Sequence, residues 1–209
     1  MTSVIATGAP ARIDLTLLHA RQAAFERDLA RLTVRGGLPA GGWQRFTYFL
    51  RVHHQAERTM LWPIVREKAP ALDVLVEQLE NERIGLVALL DGVEAALAGG
   101  VPEKIRRQAE RLAGALAAHH RHEEALARAG YGVLSRRERE EFRWEPRRLL
   151  GFGGTALYYP WLLDGATEEV QHAVMAPEPW PIRMLCRTIW HRRYVTYIES
   201  LSARGPRDR

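Results

Sequence analysis

The sequence predicts an all-α fold, an antiparallel up-and-down four-helix bundle followed by a helical C-terminal extension. Apolar residues recur at spacings of three and four along four long segments, which is the period of an amphipathic helix. The connections between these segments are short and rich in glycine or proline, so consecutive helices should lie side by side and run in opposite directions. We find no alternation of apolar and polar residues that would predict a strand.

Breaks in the apolar pattern define the four bundle helices. The first helix runs from Ile13 to Leu32 and ends before "RGGLPAGG". The second runs from Trp43 to Arg66, and Pro63 should end or kink it because proline has no amide hydrogen to donate. The third, from about Pro70 to Leu97, stops at a glycine signal, and the fourth runs from Pro102, a residue suited to a first helical turn, to Gly130.

The last third of the chain is predicted to be helical but less regular. We divide the chain into a bundle of residues 1–130 and an extension of residues 131–209 that packs on it. Ser135 and Glu138 have the spacing of a capping box, which opens the first helix of the extension. After "GFGG", three segments read as shorter helices, and two of them are rich in aromatic residues.

Composition excludes several classes of protein. The net charge is +5, but the arginines alternate with acids and form no basic stripe, so we do not expect a nucleic-acid partner. No apolar run approaches the roughly 20 residues that would cross a membrane. A single cysteine, Cys186, excludes an internal disulfide, and the first residues lack the apolar core of a secretory signal. We therefore expect a cytoplasmic protein with neither a nucleic-acid nor a membrane partner.

Two short motifs, "HHQAE" and "HHRHEE", hold five of the eight histidines. His53 and Glu57 are four residues apart, as are His119 and Glu123, so each pair lies on one helix face. If both pairs face inward, two imidazoles and two carboxylates meet inside the bundle. Buried carboxylates cost several kcal/mol unless a cation or hydrogen bonds compensate them. Mixed imidazole and carboxylate groups suit iron, manganese or zinc.

The two motifs resemble the signature helices of the hemerythrin-like, or HHE cation-binding, domains. "HHQAERTMLWPIV" is similar to the family pattern HHxxE followed by Leu-Trp-Pro, and "HHRHEEAL" is similar to HxxHEE. The resemblance covers about residues 12–130, and "FERDLARL" and "YYPWLLDGA" resemble actinobacterial members. It implies a hemerythrin-like bundle with a non-heme di-iron centre that binds or senses dioxygen or related small molecules, with ligands His53, Glu57, His119 and Glu123.

Two positions depart from the family pattern. Gln22 in helix one and Arg83 in helix three stand where the family has histidines. A guanidinium cannot bind a metal ion. Arg83 could instead pair with Glu57 or Glu123 and take the charge role of a metal.

Two nearby residues offer replacements for the missing ligands. His19 lies three residues before Gln22, and Glu80 lies three residues before Arg83, so each falls on nearly the same helix face. Both replacements would displace the ligand position in the same direction along the bundle axis, by about 4.5 Å. They permit a displaced, carboxylate-rich, mononuclear site in which His19 and Glu80 join Glu57 and Glu123.

The remaining histidines of the motifs are interpreted as surface or supporting groups. We do not assign His54, His120 or His122 as ligands. The motif pairs could also be exposed pairs on a helix face, each worth a few tenths of a kcal/mol.

The sequence supports three functions. In the first, the protein holds one or two non-heme iron ions and handles or senses dioxygen or a related oxidant. In the second, it is a metal-free enzyme in which Arg83, Glu57 and Glu123 carry out acid–base chemistry on a small organic substrate, for example in secondary metabolism. In the third, it is a structural or partner-binding helical protein.

Overall fold

A computed structural model describes residues 14–36, 38 and 41–202, with side chains up to residue 196. These residues are almost entirely helical, and they contain no strand. The all-α prediction is therefore confirmed. None of the helices in the described part of the chain has an apolar stretch long enough to cross a membrane.

Four long helices form the bundle, and the second of them consists of two helical segments. The bundle comprises α1 (Thr16–Arg35), α2 (Gly42–Ala56) continued by α3 (Trp62–Lys68), α4 (Asp73–Gly99) and α5 (Pro102–Gly130). The most extensive packing joins α5 to α4 and to α1. Each helix lies close to its predicted span, although Ile13 falls outside the described residues.

The helix that carries the first histidine motif contains one widened turn. Residues Glu57–Leu61 form a π turn between α2 and α3, and the helix then continues to Lys68. Pro63 therefore does not end the helix. Because Pro63 cannot donate to the carbonyl four residues earlier and its ring would clash with it, a wide turn at this place removes the conflict. π turns of this kind are frequent at functional sites.

Local sequence signals account for the ends of several helices. Gly36 and Gly100 follow α1 and α4 in the left-handed conformation, each with φ of 65°. Pro102 occupies the first position of α5. The predicted capping box is present, since Ser135 N donates to Glu138 Oε2 over 2.7 Å and Glu138 N donates to Ser135 Oγ over 3.3 Å.

The extension consists of further helices that begin after a short 3-10 turn. They are α6 (Arg136–Leu163), α7 (Glu168–Met175), α8 (Trp180–Leu185) and α9 (His191–Ser202). Within α6, Gly151 has non-helical angles with φ of 63°, so the predicted break at "GFGG" is a kink.

The extension and the bundle share one apolar core. Trp161 of α6 is fully buried, with its ring 5.0 Å from Phe25 and 4.7 Å from Phe49. Its Nε1 donates to the buried carboxylate of Asp28 on α1 over 2.7 Å. The same core cluster extends to Tyr194 of α9. The extension therefore closes one side of the bundle next to the histidine motifs.

Candidate metal centre

The two histidine motifs face each other inside the bundle. His53 and Glu57 lie on the α2 side, and His119 and Glu123 lie on α5. All four side chains are buried, with at most 4% of each residue exposed. The structure therefore brings together the four residues that the i,i+4 spacing predicted to share the interior.

Glu123 lies at the centre of this cluster. Its Oε1 is 2.9 Å from His53 Nε2 and 3.2 Å from His119 Nε2. Its Oε2 accepts a hydrogen bond of 3.1 Å from the amide of Gln22 on α1, and the same amide donates to the carbonyl of His120. One carboxylate thus connects α1, α2 and α5.

Several polar atoms of the cluster are buried without a hydrogen-bond partner among the described residues. They are Glu57 Oε2, His53 Nδ1, His54 Nε2 and His119 Nε2. Glu57 Oε1 lies 3.7 Å from His53 Nε2. Because buried polar atoms without partners are costly, such a group of atoms is the arrangement that a bound cation would complete once Glu57 and His119 have released their protons.

The donor atoms fall into two groups, each close enough together to hold a metal ion. His54, His119 and Glu123 form one group, and His53, Glu57 and Glu123 form the other, with the donor atoms of each group within 4.8 Å of one another. Both groups contain Glu123, so two ion positions would be adjacent. The residues present fit one or two metal ions.

His54 is part of the cluster, in contrast to the sequence interpretation. It is 8% exposed, and its ring centroid lies 5.3 Å from that of His119. On a helix, His53 and His54 point about 100° apart, so both can face inward only where the buried sector of the helix is wide. The doubled histidine in "HHQAE" is the signal that could have revealed this role.

Glu82 of α4 is a supporting residue that the sequence did not reveal. Its two carboxylate oxygens contact His119 Nδ1 at 3.0 Å and His122 Nδ1 at 2.6 Å. Carboxylates that hold the second nitrogen of a metal-binding imidazole fix the orientation of its ring. His120 is also buried, with Nδ1 3.2 Å from Glu26 Oε1. His120 and His122 therefore occupy supporting positions, as expected.

The structure does not form the displaced site. The side chain of His19 is 48% exposed and lies 3.5 Å from Glu124, and Glu80 pairs with Arg66 at 3.0 Å. Three residues turn a helix through about 300°, which carries a side chain roughly 60° away from the inward line. That rotation directs His19 and Glu80 to the surface.

Arg83 is likewise not paired with the cluster carboxylates. Its guanidinium carbon lies 4.9 Å from the ring centroid of Trp62, in a half-buried cation–π contact. Arg21 of α1, which is 3% exposed, is a buried cation near Glu57 and Glu123, and its charge acts on Glu57 more strongly than that of Arg83. Stacking on Trp62 lets Arg83 keep part of its hydration, whereas full burial would remove it.

Burial keeps two of the histidines neutral. Desolvation and the charge of Arg21 lower the pKa of His53 to about 4, although Glu123 opposes the shift. Desolvation and His53 lower the pKa of His54 well below its usual value. Both imidazoles therefore offer uncharged lone pairs at neutral pH, which is the form that binds metal ions.

Two other groups retain protons near neutral pH. Desolvation and the nearby charge of Glu123 raise the pKa of Glu57 to about 8. Burial opposes protonation of His119, but Glu123, Glu57 and Glu82 outweigh it and raise its pKa to about 9. The pKa of Glu123 is held well below its usual value, because His53 and His119 outweigh its burial.

The fold and the cluster define a class of protein, a helical bundle with a buried imidazole and carboxylate centre suited to metal ions. Residues 42–129 match the family model of the hemerythrin HHE cation-binding domain. The resemblance that the two motifs indicated is therefore confirmed for this segment of the chain. The match spans α2 to the last turn of α5, and α1 and the extension lie outside it. No curated protein and no solved structure matches the chain.

Proposed function

We propose that this hemerythrin-type domain binds non-heme iron, as one or two ions, and that it binds or senses dioxygen or a related small oxidant. The observation that supports the proposal is the pair of three-residue donor groups that share Glu123. Imidazole with carboxylate is a donor set that suits iron in helical bundles. We propose the cytoplasm as its location, where a lone cysteine such as Cys186 stays reduced.

The roles of the ligands follow from the two donor groups. His53 and Glu57 would hold one ion, His54 and His119 would hold the other, and Glu123 would serve both. Bound iron would supply a redox-active cation with an open position for a small ligand. His53 and His54 are already neutral, whereas Glu57 and His119 must release protons to bind.

Other residues of the chain orient the ligands and exclude water. Glu82 holds His119 through Nδ1, and Gln22 holds Glu123 through Oε2, so both ligands are fixed before an ion arrives. The ring of Phe25 lies 6.4 Å from His53 and 6.5 Å from His120. This apolar wall separates the cluster from solvent on the α1 side.

A groove leads from the surface to His54. It has a volume of about 420 Å³ between α2 and α4, and His54 forms part of its inner wall. Arg58 and Arg83 line it closer to the surface. We propose that this groove admits the small oxidant to the ion position that His54 and His119 define.

A second candidate function is metal-free acid–base catalysis on an organic substrate. The observation that favours it is the burial of Arg21 beside Glu57 and Glu123. In this version Arg21 takes the role that the sequence assigned to Arg83. Glu57 and Glu123 would then be the proton-transferring groups.

The experiment that tests the iron proposal is elemental analysis, with an absorption spectrum, of full-length protein from iron-replete cells. We expect one or two irons per chain, and we expect Glu123→Gln to lose them because both donor groups share Glu123. The matched control is Glu124→Gln, since this neighbouring carboxylate pairs with Arg128 and His19 outside the cluster. Absence of iron after anaerobic reconstitution with Fe²⁺, or equal iron content in both variants, would contradict the proposal.

A further inference from the structure

A second cavity lies on the other side of the cluster, where α1 meets the beginning of α6. Its volume is about 540 Å³, within the range of sites for small organic molecules. Leu17 and Leu18 of α1 and Phe142 of α6 provide apolar walls. No residue of the two donor groups lines this cavity, and the cavity shares no lining residue with the groove at His54.

The lining carries more positive than negative charge. The basic residues are Arg21, Arg136, Arg139 and Arg143. The lining acids are Asp14, which accepts a hydrogen bond of 2.9 Å from Thr16 N, and Glu140, which pairs with Arg136 at 3.0 Å. The pairing of Glu140 with Arg136 leaves Arg21, Arg139 and Arg143 opposite Asp14 alone, and this net positive charge favours an anion.

Arg21 is the buried cation of this cavity. It is 3% exposed, and its Nε is buried without a hydrogen-bond partner among the described residues. Burial opposes its charge, but neighbouring groups, first Tyr158 and then Glu57, outweigh burial and raise its pKa. A buried guanidinium with an unused donor suits a carboxylate, which can accept two parallel hydrogen bonds from it.

The cavity lies near the His/Glu cluster, because Arg21 and Tyr131 line the cavity and interact with the charges of the cluster carboxylates. Tyr131 lines the cavity, and the charges of Glu57 and Glu123 reach its hydroxyl and add to burial in raising its pKa. Arg21 feels the same two carboxylates. A molecule held at Arg21 would therefore lie next to the cluster, separated from it by the Arg21 and Tyr131 side chains.

We propose that this cavity binds a small organic carboxylate with an apolar body. Its carboxylate would pair with Arg21, and its apolar part would lie against Leu18 and Phe142. The site is formed by α1, the turn after α5 and α6, so it does not depend on a bound metal ion. A site of this kind is separate from the binding of a small oxidant at the iron centre, because it would hold an organic ligand beside that centre.

The test is isothermal titration calorimetry on the full chain after removal of metal by a chelator. The probes are 4-phenylbutyrate, the neutral 4-phenylbutan-1-ol, the cationic 4-phenylbutylamine and acetate. We expect 4-phenylbutyrate to bind at least tenfold more tightly than the other three, because it alone combines the charge with the apolar body. Equal affinities for the three phenyl probes, equal binding of acetate, or no binding of any probe would overturn the proposal.

Two variants locate the binding. Arg21→Met should weaken the binding of 4-phenylbutyrate at least tenfold, whereas Arg107→Gln, at a side chain 72% exposed near the other end of α5, should leave it unchanged. Gly132→Phe provides an independent test, because Gly132 lines the cavity and a Cβ there meets no atom within 4 Å. It should abolish binding with an unchanged melting temperature. Binding that persists in Gly132→Phe, or in a folded Arg21→Met, would refute this location.

The same titration on Glu123→Gln separates this proposal from the iron proposal. We expect this variant to lose iron and to keep 4-phenylbutyrate binding within about threefold of the unmodified protein, since Glu123 does not line the cavity. Binding that disappears together with iron would overturn the inference that the cavity is a metal-independent site.

Discussion

The side-chain amide of Gln22 donates to Glu123 Oε2 over 3.1 Å, and so links α1 to the carboxylate that both donor groups share. The residue that stands in place of a family histidine therefore remains part of the centre, as a hydrogen-bond donor to a ligand. Gln22 is 8% exposed, and its amide also donates to the carbonyl of His120. Because Gln22 binds Oε2 of Glu123, the other carboxylate oxygen, Oε1, faces His53 and His119.

The first prediction concerns this hydrogen bond. Gln22→Met keeps the length of the side chain and removes its donor, which leaves a buried carboxylate oxygen without a partner. We expect the metal-free protein to lose about 1–3 kcal/mol of unfolding free energy, the usual cost of an unsatisfied buried polar group. Urea denaturation measures the change. The control is Gln44→Met on the exposed side of α2, and an equal loss in both variants would contradict the assigned role.

The second prediction concerns His54. We expect His54→Ala to lower the iron content or to weaken iron binding at least tenfold, because His54 completes one of the two donor groups. The matched control is His172→Ala, which removes an exposed imidazole from α7. Elemental analysis after equilibrium dialysis against Fe²⁺ measures the difference. Unchanged iron binding in His54→Ala would return His54 to the supporting role that the sequence first suggested.

The third prediction concerns the stability of the metal-free protein as a function of pH. In the folded state the pKa of Glu57 is about 8, above its ordinary value of 4.5, so its contribution to stability decreases as pH rises from 4.5 to 8. The pKa of His119 is about 9, above its ordinary value of 6.5, so its contribution decreases between pH 6.5 and 9. The pKa of His53 is about 4, and its opposing effect is confined to pH 4–6.5.

Between pH 6.5 and 8, Glu57 and His119 therefore act in the same direction. We expect the melting temperature of the metal-free protein to fall across this interval, with each group contributing up to about 1.4 kcal/mol per pH unit. Glu57→Gln should reduce the slope, and Glu67→Gln, at an exposed carboxylate of α3, should not. Circular dichroism melts at half-unit intervals measure the slope, and a melting temperature that rises from pH 6.5 to 8 would refute the assignment.

The helices and the inward-facing pairs were predictable because both depend on local periodicity. Apolar spacing placed α1, α4 and α5 close to their observed spans, and the i,i+4 spacing correctly paired His53 with Glu57 and His119 with Glu123. The prediction that His19 replaces the ligand missing at Gln22 was wrong for an equally local reason. A step of three residues rotates a side chain away from the helix face that it is meant to share.

The burial of Arg21 could not be predicted from its neighbours in the sequence. An arginine beside an apolar stripe is usually at the surface with its charge in water. Arg21 interacts with Tyr131, which follows α5, and with Tyr158 in α6, so only the tertiary structure brings these groups together. Glu82 was missed for a related reason, because its role depends on how α4 is rotated relative to His119.

The fourth prediction concerns the joint core of the bundle and the extension, whose division at residue 130 remains a prediction. Trp161→Phe removes the indole that packs between Phe25 and Phe49 and the donor to the 1% exposed Asp28. We expect a loss of about 2–4 kcal/mol in unfolding free energy, from the cavity and the weakened hydrogen bonding of a buried carboxylate. Trp180→Phe is the matched control, because Trp180 is 63% exposed, and it should cost less than about 0.5 kcal/mol.

Denaturation of both variants, followed by far-ultraviolet circular dichroism, measures these losses and also the number of transitions. Because Trp161 belongs to the same core cluster as Phe25 and Phe49, we expect one cooperative transition, shifted as a whole in Trp161→Phe. Two separate transitions, with only the less stable one shifted, would mean that the extension unfolds independently of the bundle. In that case α6 would unfold without the bundle, and Trp161→Phe would leave the unfolding free energy of the bundle around the His/Glu cluster unchanged.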